Sequence, residues 1–445
     1  MKENIAFRFL NNQNTSTKSL KKAFPVIVLF IVSILPFHIQ AQTEKDSSFT
    51  GLYMTYRPRA EFKAGYKIPH TPVDEKAFMM SHRADVTFRH RRERAEVYLT
   101  IRNADIWGDN TNRMPELFEA WTEYTFSGHY AIRAGRQRLM LDNERLIGQK
   151  NWTQEGISHD VITFTGKFKH FEASLIAGMN QRSEQFSGTS YPWNEVMNYK
   201  YISILHFKIL FNDKLTLSGL NIADGFELVS RKEVFRYTNG GRITYSNNNL
   251  TATLHGYYQH GKNPSDIKLD AWYINPELSY QFSKKLQFRG GVEVFSGTSD
   301  GLAEQGKSFS TLYGSGHKFS GHMDYFTSFP AHTKGYGLIN PYILCQITLK
   351  KNYTLTSDFH TFHALHNPIY LQTTQSSYFG FEQDITLSKK LNSFSNLQYG
   401  FSYMLPTQSF LNMRNKPDGS NFQYFSYIML TVNPMFFSSK NETGK

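Results

Sequence analysis

The sequence predicts an all-β fold, a transmembrane antiparallel up-and-down β-barrel of about 18 strands. Three observations carry that expectation: apolar and polar residues alternate with a period of two, connections alternate short and long, and the chain opens with a secretory leader. Composition removes the competing classes. Of 445 residues 15% are aromatic and 19% charged, and mean hydropathy is −0.47. The longest apolar run is about 15 residues, short of the roughly 20 that a membrane-spanning helix needs. A chain with 37 Phe and 26 Tyr can bury enough apolar surface to fold, which excludes disorder. The single cysteine, Cys345, excludes an internal disulfide framework.

Taken in chain order, the first element is the leader. Lys18-Ser-Leu-Lys-Lys places positive charge ahead of the apolar stretch Ala23 to Phe37, which is followed by His-Ile-Gln-Ala-Gln. This is the pattern of a signal peptide over residues 1–41, with Ala41 the last residue removed and a barrel over 42–445. No cysteine follows the apolar stretch to accept a lipid. The first 41 residues hold five Lys or Arg and one Glu, so the formal charge of +12 falls to +8 without them. That modest basic excess bears on solubility and anionic partners rather than on fold.

The strands follow. In Arg83 to Arg89, Ala84, Val86 and Phe88 oppose Arg83, Asp85, Thr87 and Arg89. In Glu96 to Arg102, Val97, Leu99 and Ile101 oppose Glu96, Tyr98, Thr100 and Arg102. An amphipathic helix would space its apolar residues three and four apart, and no convincing segment after residue 42 does so. The alternation gives strands near 49–62, 79–89, 94–104, 117–126, 130–137, 161–168, 171–179, 199–210 and 215–223. It continues near 233–245, 250–259, 270–282, 286–296, 340–349, 353–363, 377–387, 395–404 and 421–432. Short connections such as Asn247-Asn-Asn and Lys350-Lys-Asn alternate with long ones, of which 138–160 and 297–339 stand out. Consecutive strands are then antiparallel, with every short turn at one end of the barrel.

A soluble β-protein also alternates, so the solvent is decided by other features. Outer-membrane barrels combine export, short periplasmic turns, long outer loops and an even strand number. Aromatic residues bracket the short turns here, including Phe126 and Tyr130, Phe168 and Phe171, and Phe282 and Phe288, where rings settle at the headgroup level. Closure is required because an open edge in lipid strands backbone polar groups at several kcal/mol each. About 18 strands enclose an aqueous lumen, whereas eight would be filled by side chains.

With the apolar face against lipid, the other face of the early strands is charged: Arg57, Arg59, Arg83, Arg89, Arg102 and Arg133, beside Glu61, Asp85, Glu96, Glu119 and Glu123. An arginine facing lipid at mid-depth would cost about 2–4 kcal/mol, which turns these side chains toward the pore. The planar guanidinium fork suits carboxylate, phosphate and sulfate. Arg–Glu ladders that merely brace the wall would give the same composition.

The most distinctive stretch contains Arg133-Ala-Gly-Arg-Gln-Arg, Asp142-Asn-Glu-Arg-Leu-Ile-Gly and Asn151-Trp-Thr-Gln-Glu-Gly-Ile-Ser-His-Asp160. With Asn103-Ala-Asp-Ile-Trp-Gly-Asp, Phe118-Glu-Ala-Trp-Thr-Glu-Tyr and the closing Tyr427 to Phe437, it resembles the alginate-export family of outer-membrane porins, in the form common in the Bacteroidetes. The specific motifs cover residues 83–165 and the last strand. The resemblance implies an 18-stranded barrel and passive passage of a polyanionic polysaccharide through an arginine-rich constriction; the expected constriction is formed by the wall and an inward-folded loop around residues 138–160. It places Arg136, Arg138, Glu144, Arg145, Trp152 and Asp160 at motif positions that line the pore, beside Arg83, Arg89, Arg102 and Arg133 from the wall. The chain departs from the pattern in two ways: eight residues follow Phe437, and carboxylates dilute the basic face.

The expected partners are outer-membrane lipid and anionic oligosaccharides, polysaccharides or other small anionic solutes, with no nucleic acid and no cofactor. Catalysis has thin support. Glu119 with Glu123, or His159 beside Asp160, could serve acid–base chemistry, but such pairs arise by chance among 37 acidic residues. No HExxH or phosphate-cradling glycine loop occurs. A third class, a barrel plugged by loop 297–339 and acting through its outer surface, also fits a connection of that length.

Overall fold

The computed structural model describes residues 48–109, 113–193, 199–301 and 306–439, so the expected leader lies outside the described residues. The wall begins with β1 (Phe49–Ala64), β2 (Ala77–Arg92), β3 (Ala95–Ile106), β4 (Glu116–Thr125), β5 (Tyr130–Gln137), β6 (His159–Lys167) and β7 (Phe171–Met179). It continues through β8 (Tyr201–Leu210), β9 (Leu215–Glu227), β10 (Glu233–Asn247), β11 (Leu250–Lys262), β12 (Lys268–Ser283), β13 (Leu286–Phe295), β14 (Leu338–Lys350) and β15 (Tyr353–His363). A small hairpin, β16 (Ile369–Tyr370) and β17 (Thr373–Thr374), projects from the next connection. The wall resumes with β18 (Tyr378–Lys390), β19 (Ser395–Pro406) and β20 (Gln423–Val432), the last extended by β21 (Met435–Ser438).

Each barrel strand pairs antiparallel with the next, and β1 pairs with β2 on one side and with β20 and β21 on the other. The result is a closed barrel of 18 strands with no free edge. The connections keep the expected asymmetry: 351–352 joins β14 to β15 with two residues, whereas 296–337 joins β13 to β14.

The wall is inside-out relative to a water-soluble protein. Val86 is 51% exposed on the outer face, while its neighbours Arg83 and Asp85 are 5% and 7% exposed within the barrel. Near the short turns, Phe126, Phe168, Phe171, Tyr245 and Phe282 are exposed on the outside, and Phe168 stacks on Phe171. Rings at that level straddle the apolar and wet layers of a bilayer. The apolar core lies inside the barrel, not between layers. Residues 306–337 of the connection between β13 and β14 fold inward and bury Phe309, Tyr313, Met323, Phe326 and Phe329 against Phe295, Phe362, Phe379 and Phe425 of the wall. A short helix, α1 (Gln408–Met413), adds Phe410 to this core, and the Thr407 side chain caps it by accepting from the Phe410 amide. The lumen is therefore not the wide aqueous tube that strand number alone suggests, because inward loops occupy part of it.

Candidate functional site

Strands β1, β2 and β3 present Arg57, Arg59, Arg83 and Arg102 to the interior, and all four are buried. What covers them is the connection 138–158, which leaves the end of β5 and folds back into the barrel. Arg57 donates through Nη1 to the Asn151 carbonyl at 2.7 Å and through Nη2 to the Thr153 carbonyl at 2.8 Å. Arg59 Nη1 reaches the Trp152 carbonyl at 2.7 Å, Arg83 Nε the Gln154 carbonyl at 2.6 Å, and Arg102 Nη1 the Glu155 carbonyl at 2.7 Å. Five successive carbonyls are thus turned toward four guanidinium groups. Gly156 makes the approach possible. Its φ is +67°, and a Cβ there would lie 2.7 Å from Arg102 Nη1.

The charge in this cluster is not balanced pair by pair. Arg102 forms a fork with both Asp85 oxygens at 2.7 Å, and Arg59 lies 3.3 Å from Glu61. Among the described residues no carboxylate comes within ion-pair range of Arg57 or Arg83. Neutral carbonyls satisfy their hydrogens without cancelling their charge, so the site is net positive.

Trp152 joins this cluster to the second inward loop. The Arg59 guanidinium lies 4.2 Å from the centroid of its ring, His317 stacks on it at 3.9 Å with 6° between planes, and its Nε1 donates to the Tyr66 hydroxyl at 3.1 Å. His317 stacks in turn on His322. Burial pushes the His317 imidazole below its ordinary value, with the Asp324 carboxylate opposing. The two loops also pair through their backbones, with Tyr313 donating to the Leu146 carbonyl at 3.0 Å and Ser315 to the Glu144 carbonyl at 2.9 Å.

Below the loop, toward the short turns, the arginines remain partly solvated and paired. Arg89 forks onto Glu96, Arg133 bonds Glu123 at 2.8 Å, and Arg138 bonds Glu119 at 2.8 Å and Gln149 at 3.0 Å. Arg133 lies 3.9 Å over the Trp121 ring, which stacks on Tyr98 at 4.9 Å. A cavity of about 370 Å³ opens here, walled by Asp85, Arg89, Tyr98, Arg102, Glu119 and Arg138.

Three of the residues expected at the pore sit elsewhere. Arg136 and Asp160 form a two-pronged pair at 2.8 Å, but the register places them on the same face as Ile162, outside the wall, and they are 42% and 48% exposed. The period of two already turns Arg136 away from Arg133, an implication that the motif match alone does not carry. His159 points inward, where it bonds the Tyr199 hydroxyl, so His159 and Asp160 lie on opposite faces and cannot act as one acid–base pair. Arg145 is 1% exposed, 2.9 Å from Glu293 and between the rings of Phe295 and Phe319, where it ties the loop to β13. Glu144 accepts from Lys318 at 3.1 Å and from the Gln149 amide at 3.2 Å, holding the two loops together. Sequence reasoning missed Glu293, Ser320 and His317, which complete these contacts from distant strands and loops with no local signal.

Comparison with known proteins gives one family: the family model described as alginate export matches residues 73–395. No curated protein matches the chain. Among solved structures, Pseudomonas aeruginosa OpdL is similar with a TM-score of 0.61 and 8% identity, over 87% of this chain and 99% of that one. Acinetobacter baumannii OccAB4 is similar with a TM-score of 0.59 and 10% identity, over 89% and 100%. Pseudomonas aeruginosa OpdQ follows with a TM-score of 0.59 and 9% identity, over 88% and 98%. At these identities the likeness carries the fold alone.

Proposed function

The chain belongs to the alginate-export family and is an outer-membrane porin, and from that premise we propose that it passes hydrophilic, anionic solutes or polysaccharide by passive diffusion through an arginine-lined lumen. The observation that carries this reading is the net positive cluster at the inward loop, where Arg57 and Arg83 have carbonyl partners but no carboxylate. A solute reaching the loop from the short-turn side enters the cavity walled by Arg89 and Arg138 before it meets that cluster. Anions would be drawn there by the uncompensated guanidinium charge, which cations would meet as repulsion. Paired arginines below the loop supply fixed dipoles rather than net charge, so selectivity rests on the cluster above them.

Reversal potentials across planar bilayers under a salt gradient test this. Anion-over-cation preference is expected in the full-length barrel, reduced by Arg83→Gln, which removes one of the two charges that have no carboxylate partner. It is unchanged by Arg136→Ala, whose side chain lies outside the wall. Equal permeability to both ions would refute the anionic preference. The apolar packing of 296–337 inside the barrel favours one second reading, a plugged barrel that acts through its outer surface. Membranes that stay silent after verified insertion would support it instead.

A further inference from the structure

On the wall opposite the early-strand arginines, β10 to β15 and the two inward loops enclose a second cavity of about 160 Å³. Its charged lining comprises Arg242, Arg289 and Lys318 against Glu277, Glu293 and Asp358. Several of these groups are already committed. Lys318 is held by Glu144 at 3.1 Å, Glu293 by Arg145 and the Tyr273 hydroxyl, and Glu277 by the Tyr342 hydroxyl at 2.7 Å. Arg242 differs from all of them. Among the described residues it has no carboxylate partner and no hydrogen-bond acceptor, and its Nε is buried. Arg289 Nε is also buried without a hydrogen-bond partner, with Glu277 at 3.6 Å, and the Nδ1 of neighbouring His255 is unpartnered.

We infer that Arg242 and Arg289 form a subsite for the carboxylate of a small hydroxy acid, a deeper reading of the anionic preference proposed above and resting on it. The Nε groups of both arginines, buried without acceptors, carry a desolvation cost that the oxygens of an anion remove. Asp358, whose Oδ1 has no hydrogen-bond partner, sits in the same cavity and selects for hydroxyl donors beside the carboxylate. The same carboxylates, Asp358 and Glu277, repel a doubly charged oxyanion and so disfavour phosphate. The early-strand arginines cannot play this part, because loop carbonyls and wall carboxylates already hold their hydrogens.

Calorimetric titration of gluconate into the detergent-solubilised full chain tests the assignment, with sorbitol as the neutral counterpart. Gluconate is expected to bind and sorbitol not. Arg242→Gln and Arg289→Gln should each weaken gluconate by about tenfold or more, the loss of a charged hydrogen-bonding partner. Arg242→Lys, which keeps the charge and loses the fork, should fall between, and Arg136→Gln, outside the wall, should bind as the parent does. Absence of gluconate binding, equal binding of sorbitol, or unchanged affinity in both Gln variants would overturn the subsite. These outcomes are independent of conductance: a silent or unselective channel that binds gluconate through Arg242 contradicts the transport reading and leaves the subsite standing.

Discussion

Arg145 and Arg136 lie nine residues apart in one motif-rich stretch, yet their environments give them opposite sensitivities. Arg145 is buried between aromatic rings with Glu293 as its counter-charge. Its replacement by Ala leaves Glu293 buried and uncompensated, and should destabilise the barrel interior by about 3–5 kcal/mol. Loss of heat resistance in gel-shift unfolding assays would register that cost, and an unaltered transition would contradict it. Arg136, partly exposed on the outer face, has a pair worth about 1 kcal/mol at most, so Arg136→Ala should leave the same transition within error. Burial separates the two, and residue type does not. Likewise Trp152 is sandwiched between Arg59 and His317, so Trp152→Ala removes a joint between loops rather than a face exposed to solute.

Among the elements, residues 151–155 of the connection 138–158 are held by arginine contacts, while its Leu146 and Ile147 share the apolar core of 296–337, so the two ends should yield to different perturbations. The double substitution Arg57→Gln with Arg83→Gln removes the charge-assisted bonds to carbonyls 151–154, each worth about 1.5–3 kcal/mol. Release of the loop should appear as faster amide exchange over 150–156 and larger, noisier single-channel currents. Protection equal to that of the parent would show that Arg59, Arg102 and the loop pairing suffice. The second connection carries a pH response. Burial, then the nearby Arg414, push His332 down to about 4 from an ordinary value near 6.5, with Asp324 opposing and Lys67 assisting. Its Nδ1 accepts from the Thr327 and Ser328 amides at 3.2 Å, which a protonated ring cannot do. Because the folded value lies below the unfolded one, the unfolded segment binds the proton more readily. The stability from this contact is complete above about pH 6.5 and is lost as pH falls toward 4. Exchange at Thr327 and Ser328 should therefore accelerate over that window, and a flat profile would discount the contact.

For the whole molecule, closure and the inverted wall make the solvent part of the fold. Removing lipid or detergent exposes a continuous band that includes Val86, Ile101, Ile162, Leu278 and Ile343. The refolded chain should aggregate without amphiphile, and a monodisperse sample in plain buffer would contradict a membrane-embedded wall. An Ile343→Arg change on the outer face should cost up to about 2–4 kcal/mol if that position lies at mid-depth, whereas an inward polar exchange such as Gln346→Ser should be nearly silent. Outward apolar and inward polar residues alternate along β2 and β3, so neither strand could slip by one residue without exposing charge to lipid.

Much of this architecture is written locally. The alternation of Val86 and Phe88 with Asp85 and Arg89, repeated along the chain, set strand positions to within a few residues, because a two-faced wall demands period two at every strand. Turn lengths set the up-and-down order and its polarity for the same reason: a two-residue link can join only adjacent antiparallel strands. The inward loop at 138–160 was legible as a distinctive polar motif, though the roles of its members were not. Which arginines remain available depends on carbonyls some 70 to 100 residues away, on Glu293 at the far wall, and on a loop core that fills the lumen. Local periodicity fixes the face on which a side chain emerges, while its partners, burial and free charge arise only when distant segments meet inside the closed barrel.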